Sequence, residues 1–201
     1  MYTYLALGDS YTIGEQVAAE ENFPHLLAAR LRRQYALPVD KPYIIATTGW
    51  TTDELAAAIK ERALKGSFSF VTLLIGVNNQ YRGRDVENYS REFAQLLNKA
   101  ILFANGASNH VFVISIPDWG VTPFAEGRDR GQIAREIDEF NKAKRAITLA
   151  YRCHYIDITD STREHGQDER YLTPDKLHYS GKEYEVWATR IADQVAKVLK
   201  H

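Results

Sequence analysis

The chain has 201 residues and a net charge of −1 at pH 7, and 45% of its residues are hydrophobic and 25% charged. This length and composition predict one globular domain over residues 1–201. The balanced charge argues against nucleic-acid binding. The chain has a single cysteine, Cys153, so an internal disulfide is excluded. No apolar run reaches the roughly 18 residues of a membrane span, and the first predicted strand starts so near Met1 that we expect no signal peptide and a cytoplasmic location.

Strands and helices alternate in the first part of the sequence. The β-rich run Tyr2–Leu7 predicts a strand, and helical spacing of leucines predicts a helix over Phe23–Gln34. The short apolar run Tyr43–Ala46 predicts a buried second strand. A capping-box pattern at Thr51–Glu54 begins the next helix, and Phe68–Ile75 is the third predicted strand.

The same alternation continues to the end of the chain. In order, the sequence predicts a helix capped by Asp85, a strand over His110–Ile116, a helix through Ile133–Ile147, a strand over His154–Ile158, a polar stretch over Thr159–Arg170, and a helix with an apolar stripe from Trp187 to Val198.

Five near-continuous apolar strands that alternate with helices are typical of a parallel sheet covered on both faces. We therefore predict the α/β class, with a five-stranded parallel sheet in a three-layer α/β/α sandwich. Ligands of such open sheets bind beyond the carboxyl ends of the strands, so the chemistry should lie where the strands end.

Polar and glycine residues follow the first three predicted strands. These segments are Gly8-Asp9-Ser10, Thr47-Thr48-Gly49-Trp50 and Gly76-Val77-Asn78-Asn79. A serine hydroxyl, a glycine backbone and an asparagine amide would meet there, and acyl transfer needs a nucleophile and donors for an oxyanion. Glycine, aspartate and serine are also common turn residues, so the first segment alone does not establish a nucleophile.

A serine nucleophile also needs a base, and His178 is the best candidate among six histidines. Asp175 lies three residues before it and can hold the imidazole tautomer by hydrogen bonding. The chain order Ser, Asp, His is that of α/β-hydrolases, but the second glycine of their Gly-x-Ser-x-Gly motif is missing after Ser10. Asp9 adjoins Ser10, so its side chain should point elsewhere, and we interpret it as structural.

Four short blocks, in order from Gly8 to His178, resemble the SGNH or GDSL hydrolase family. They are GDSYTIG from Gly8, TTGWTT from Thr47, GVNNQ from Gly76 and DKLHYS from Asp175. The resemblance implies the flavodoxin-like SGNH fold and ester hydrolysis of a small-molecule substrate, without a metal or other cofactor. One position departs from the family pattern, because Asn79 stands where these proteins usually have Asp.

The resemblance also assigns roles to individual residues. It makes Ser10 the nucleophile and Asp175 and His178 its triad partners. The backbone N–H groups of Ser10 and Gly49 and the side-chain amide of Asn78 become the oxyanion donors.

The substrate is less constrained than the reaction. Polar loops with Tyr81 and Tyr171, and no long apolar lid, favour a short acyl or acetyl group on a polar or sugar-like alcohol. The family also includes lysophospholipases and thioesterases. A non-catalytic carbohydrate-binding domain is an alternative from another class. A phosphate-binding loop at Gly8–Ser10 is a third, although it lacks the lysine of a P-loop.

A few further residues lie near the predicted strand ends. Trp119 follows the fourth strand, and a pocket wall and plain packing are equally consistent with its position. Most arginines of the neighbouring loops should be solvated, with some flanking the pocket: Arg82, Arg84, Arg128 and Arg130.

Overall fold

A five-stranded, all-parallel sheet forms the centre of the computed structural model, which describes residues 1–200. Its strands are β1 (Tyr4–Gly8), β2 (Tyr43–Ala46), β3 (Phe70–Leu74), β4 (Val111–Ile114) and β5 (His154–Ile156). They lie in the order β2-β1-β3-β4-β5, and Gly8 at the end of β1 is level with Ala46 of β2 and Leu74 of β3. The predicted sheet is confirmed.

Helices cover both faces of the sheet. They are α1 (Ser10–Ile13), α2 (Phe23–Tyr35), α3 (Thr52–Arg62), α4 (Val77–Tyr81), α5 (Val86–Phe103), α6 (Arg130–Ala150), α7 (Thr159–His165) and α8 (Gly181–Leu199). Helices α2 and α8 pack together as one layer, and α5 packs against α3 and α6 in the other. The three-layer α/β/α prediction is therefore confirmed.

Side-chain caps begin the helices where the sequence has cap residues. The Asp85 carboxylate accepts a hydrogen bond from the backbone N–H of Asn88 at 2.7 Å, which fixes the start of α5. Thr51 and Glu54 form the predicted capping box of α3, in which the Glu54 carboxylate accepts from the Thr51 N–H at 2.9 Å.

The core lies between the sheet and the two helix layers. Strands β1 and β3 are buried along their whole length, and Tyr4 stacks on Phe70 with ring centroids 4.4 Å apart. The hydroxyls of Tyr4 and Thr72 share a hydrogen bond of 2.8 Å, which satisfies both polar groups inside the core. Each large apolar side chain buried here contributes about 1.5–3 kcal/mol, which explains the near-continuous apolar strands.

Three helices depart from the sequence prediction. The short α1 and α4 lie at the predicted strand-end turns, and they have too few residues to show a helical period. The stretch Thr159–Arg170, predicted as an irregular polar segment, contains α7. Its buried side chains are the polar Thr159, Ser161 and Thr162, so α7 has no apolar stripe.

The strand order sets the position of the site. The chain runs from β1 to β2 on one side and then crosses over to β3 on the other side of β1, so the strand order reverses at β1 and the ends of β1 and β3 form the topological switch point of the sheet. None of the helices in residues 1–200 combines the length and the apolar character that a membrane crossing requires.

Candidate active site

Ser10 is the first residue of α1 and follows β1 directly. The Asp9 carboxylate caps this helix by accepting from the Tyr11 N–H at 3.0 Å. Gly8 makes the tight turn possible, because a Cβ atom there would lie 2.0 Å from the Thr12 hydroxyl oxygen. The turn therefore holds the Ser10 hydroxyl at the end of the sheet, where the side chain is only slightly exposed.

The structure brings Ser10, His178 and Asp175 together in one hydrogen-bonded chain. His178 Nε2 lies 3.0 Å from Ser10 Oγ, and His178 Nδ1 lies 2.6 Å from Asp175 Oδ2. An ionised carboxylate only accepts hydrogen bonds, so Nδ1 carries the imidazole proton and Nε2 accepts from the serine hydroxyl. This is the arrangement of a serine nucleophile, its base and the group that orients the base.

Hydrogen bonds keep Asp175 ionised. Partial burial alone would raise its pKa, but the His178 ring, the backbone N–H groups of Leu177 and His178 and the Thr173 hydroxyl all donate to the carboxylate. Together they lower the pKa of Asp175 to about 2. The carboxylate is therefore charged and held in place at neutral pH.

A cluster of aromatic rings packs against the imidazole ring of His178. The ring of Tyr11, from α1, lies 5.2 Å from that of His178, and 6.3 Å from that of Trp187, measured between centroids. Trp187 in turn contacts Tyr179 and Tyr184 of the same chain segment. This packing joins α8 to the turn that carries Ser10.

Gly49 lies in the loop after β2 and has φ = +86°, a left-handed conformation that favours glycine. The Arg82 guanidinium donates to its carbonyl oxygen at 2.6 Å. In residues 1–200, no group accepts from the backbone N–H of Gly49 or of Ser10. Two backbone donors next to the serine are therefore free to bind a ligand.

Asn78 is on the short helix α4, and its side chain reaches the same loop. Its Nδ2 donates one hydrogen to the Trp50 carbonyl at 2.9 Å, which fixes the amide. The second hydrogen of that amide remains for another acceptor. Ser10, Gly49 and Asn78 all line one cavity, so the structure brings the three predicted oxyanion donors together.

Asn79 occupies the position where the sequence departs from the family pattern. It is fully buried, its Oδ1 accepts from the Thr52 N–H at 3.1 Å, and its Nδ2 donates to the Thr52 hydroxyl oxygen at 2.7 Å. The Thr52 hydroxyl then donates to Glu92. An amide at position 79 thus serves both as acceptor and as donor, which a carboxylate cannot do.

Asp9 and Lys144 are two fully buried ionisable groups behind the serine. Lys144 lies on α6, and its Nζ donates to the carbonyl oxygens of Ile114 at 2.5 Å and Ile75 at 3.2 Å. Burial raises the pKa of Asp9 and lowers that of Lys144, and the attraction between the two groups opposes both shifts. Sequence reasoning missed Lys144, although a lysine four residues after Phe140, on an apolar stripe, was an available signal.

The cavity beside Ser10 has a volume of about 190 Å³. Opposite the polar groups, its walls are apolar or aromatic, and they comprise Val77, Tyr81, Trp119, Phe124 and Leu177. Trp119 is 3% exposed, so it both lines the cavity and packs in the core. Tyr171, expected near the substrate, instead stacks on His165 with centroids 3.9 Å apart and does not line this cavity.

The neighbouring arginines differ in their contacts. Arg82 donates a hydrogen bond to the Gly49 carbonyl oxygen, while Arg84 pairs with Asp53 on α3 at 2.5 Å. Arg128 lies over the aromatic cavity wall. Arg130 donates to the carbonyl oxygen of Gly120, which does not line the cavity. Two of the four arginines, Arg82 and Arg128, therefore contact residues that line the candidate site.

Comparisons with known proteins agree with the geometry. The sequence model of the GDSL-like Lipase/Acylhydrolase family matches residues 6–186. No curated protein sequence matches this chain significantly.

Several solved structures share the fold. A lipase/acylhydrolase from Enterococcus faecalis is 21% identical with a TM-score of 0.71, over 98% of this chain and 97% of that one. The psychrotrophic esterase EstA from Pseudoalteromonas sp. is 16% identical with a TM-score of 0.73, over 100% of both chains. An acetylxylan esterase from Geobacillus stearothermophilus is 16% identical with a TM-score of 0.74, over 96% of this chain and 94% of that one.

The contacts of Asn79 predict the effect of restoring the family residue. Asn79→Asp removes the donor to the Thr52 hydroxyl and places a second carboxylate beside the hydroxyl that Glu92 already engages. We expect a loss of about 1–3 kcal/mol in the free energy of unfolding, larger at pH 8 than at pH 5 because the introduced group is then ionised. Urea unfolding at both pH values measures it.

The exposed Asn105 provides the control, since Asn105→Asp introduces the same charge at the surface. Equal stability of Asn79→Asp and the unsubstituted chain at pH 8 would contradict the interpretation that Asn79 must both donate to and accept from Thr52.

Proposed function

This chain belongs to the GDSL-like lipase/acylhydrolase family, and we propose that it hydrolyses carboxylic esters by attack of Ser10 on the acyl carbon. The main support is the hydrogen-bonded chain from Asp175 through His178 to Ser10, which ends in a cavity beside free oxyanion donors. Short acyl esters of polar alcohols are the proposed substrates.

The first half of the reaction forms an acyl-enzyme. His178 Nε2 takes the proton of the Ser10 hydroxyl while Oγ bonds to the ester carbonyl carbon. The N–H groups of Ser10 and Gly49 and the free amide hydrogen of Asn78 bind the resulting oxyanion. The intermediate collapses as His178 gives its proton to the alcohol oxygen, and the alcohol leaves.

Water completes the cycle. The oxygen of a water molecule attacks the acyl carbon while His178 takes a proton from that water. His178 then gives the proton to Ser10 Oγ as the carboxylic acid leaves. Asp175 stays ionised throughout, because its pKa of about 2 lies far below neutral pH, and it stabilises the imidazolium form of His178.

Ser10→Ala tests the nucleophile. We expect the rate of p-nitrophenyl acetate hydrolysis to fall by at least about 10³-fold, because the acyl-enzyme cannot form. The Pseudoalteromonas esterase is described as inhibited by monoethylphosphonate, so a phosphonate ester should add its mass to the Ser10 peptide of the unsubstituted chain and to no peptide of the variant.

The matched control is Ser90→Ala, a serine on α5 whose hydroxyl bonds only to its own helix. Equal, slow hydrolysis by all three proteins with no phosphonate labelling would contradict the proposal and favour the carbohydrate-binding alternative.

Asn78→Ala tests the side-chain oxyanion donor. Loss of one such donor typically lowers kcat by about 10²–10³-fold, and we expect this fall with little change in KM, because the donor acts mainly on the transition state. Asn98→Ala, at an exposed position on α5, is the control. A kcat within about twofold of the unsubstituted value would remove Asn78 from the mechanism.

Substitutions of Arg82 and Arg84 test whether the reaction rate depends on the hydrogen bond that holds the Gly49 loop. Arg82→Ala frees the Gly49 carbonyl, and we expect kcat to fall about tenfold at constant KM, which corresponds to the loss of roughly one hydrogen bond. Arg82→Lys keeps a cationic donor and should restore part of the rate.

Arg84→Ala is the matched control, because Arg82 and Arg84 each pair with a carboxylate of α3, Glu54 and Asp53 respectively, but only Arg82 contacts Gly49. An equal loss in Arg84→Ala would show that a general effect of charge, and not the contact with Gly49, lowers the rate.

A further inference from the structure

The apolar side of the cavity offers a surface against which the acyl group of a substrate can pack. This inference rests on the proposed ester hydrolysis. We propose that the wall formed by Tyr81, Trp119 and Phe124 is an acyl-binding surface that selects groups of about six carbons, linear or cyclic, over acetyl and over long chains. Its size supports this, because an apolar cavity of about 150 Å³ binds benzene and this cavity has about 190 Å³.

The position of the wall relative to the oxyanion donor places it on the acyl side. Asn78 and Tyr81 are three residues apart on α4, so they lie on the same face of that helix. The carbonyl oxygen binds at Asn78, and the acyl carbon is bonded to that oxygen. The alcohol oxygen must instead face His178, which protonates it. The acyl chain therefore extends along the wall that starts at Tyr81.

The wall is fixed in place. The Trp119 indole N–H donates to Gln80 Oε1 at 2.7 Å, and Gln80 donates to Glu136 Oε2 at 2.7 Å. The Trp119 ring meets Tyr81 edge-on with centroids 5.1 Å apart. Since Gln80 and Tyr81 belong to the same helix as Asn78, the wall keeps a constant distance from the oxyanion site. A pocket this rigid discriminates by size.

The exposed Arg128 lies against all three rings of the wall. Its guanidinium carbon lies 5.4 Å from the ring centroids of Tyr81 and Trp119 and 5.9 Å from that of Phe124. A chain that continued past the rings would displace this cation from its aromatic faces or cover it with hydrocarbon, and both are unfavourable. An acetyl group has the opposite disadvantage, because its single methyl leaves most of the cavity empty.

The test compares kcat/KM for p-nitrophenyl acetate, hexanoate and decanoate. Each methylene that becomes buried is worth about fourfold, so we expect hexanoate to exceed acetate by about 10- to 100-fold and also to exceed decanoate. Tyr81→Ala should lower the hexanoate-to-acetate ratio about tenfold. Arg128→Ala should raise the decanoate-to-hexanoate ratio at least about fivefold, since a long chain then no longer has to displace or cover the cation.

Arg135→Ala is the matched control, because it removes the same charge from an exposed position on α6 that is not part of the wall; both ratios should stay unchanged. Tyr81 and Arg128 are exposed, so their replacement should leave the fold intact, which thermal unfolding checks. A preference for acetate, or ratios that neither wall variant changes, would overturn the pocket while leaving the proposed function standing. No hydrolysis of any of the esters would overturn the proposed function itself.

Discussion

The hydrogen bond between His178 and Ser10 joins residues 168 positions apart, and the rest of the fold is arranged around it. The entropy of closing so long a loop is modest, because each doubling of loop length adds only about 0.6 kcal/mol. The harder requirement is a distance accurate to a fraction of an ångström between side chains from opposite ends of the chain. The aromatic packing of Tyr11 against His178 and Trp187 meets it, because it leaves α8 and the Ser10 turn little freedom to move apart.

The buried lysine explains how the strand ends are held beneath this bond. From a position on α6, Lys144 donates to the carbonyl oxygens of Ile75, just after β3, and of Ile114, the last residue of β4. A lone buried ammonium would be costly, and attraction to Asp9, which directly follows β1, offsets part of that cost. Asp9 therefore caps α1 and interacts electrostatically with Lys144, and both interactions are structural, as its interpretation as a residue outside the triad requires.

The sequence predicted the parts of the site that follow strands and left out those that depend on distant contacts. The five strands were recognisable because each is a short apolar run, and the Ser10, Gly49 and Asn78 segments could be placed from the rule that parallel strands end at one edge. Helix α7 could not be recognised, because its buried face is made of Thr159, Ser161 and Thr162, which hydrogen bond to neighbouring segments instead of packing as an apolar stripe. The contacts of Arg82 and Arg128 depend on the final positions of loops, which no local pattern encodes.

The strand order separates the loops that carry Gly49 and Asn78, and contacts outside the sheet connect them. Gly49 follows β2 and Asn78 follows β3, but β1 lies between these strands, so no ladder of the sheet connects the two proposed oxyanion donors. Helix α4 and its C-terminal cap residue make the connection instead. Asn78 donates to the Trp50 carbonyl, Asn79 bridges Thr52, and Arg82 donates to the Gly49 carbonyl.

These three contacts span the end of β1, where Ser10 lies, and their geometry is fixed when the chain folds. In the proposed reaction the donors then need no reorganisation as the oxyanion forms, which is the condition under which such donors are most effective. The amide at position 79 fits this arrangement, because it ties both the N–H and the hydroxyl of Thr52 to α4 without adding a second carboxylate near Glu92. The departure from the family pattern therefore preserves the connection between the two loops, and through it the placement of Asn78.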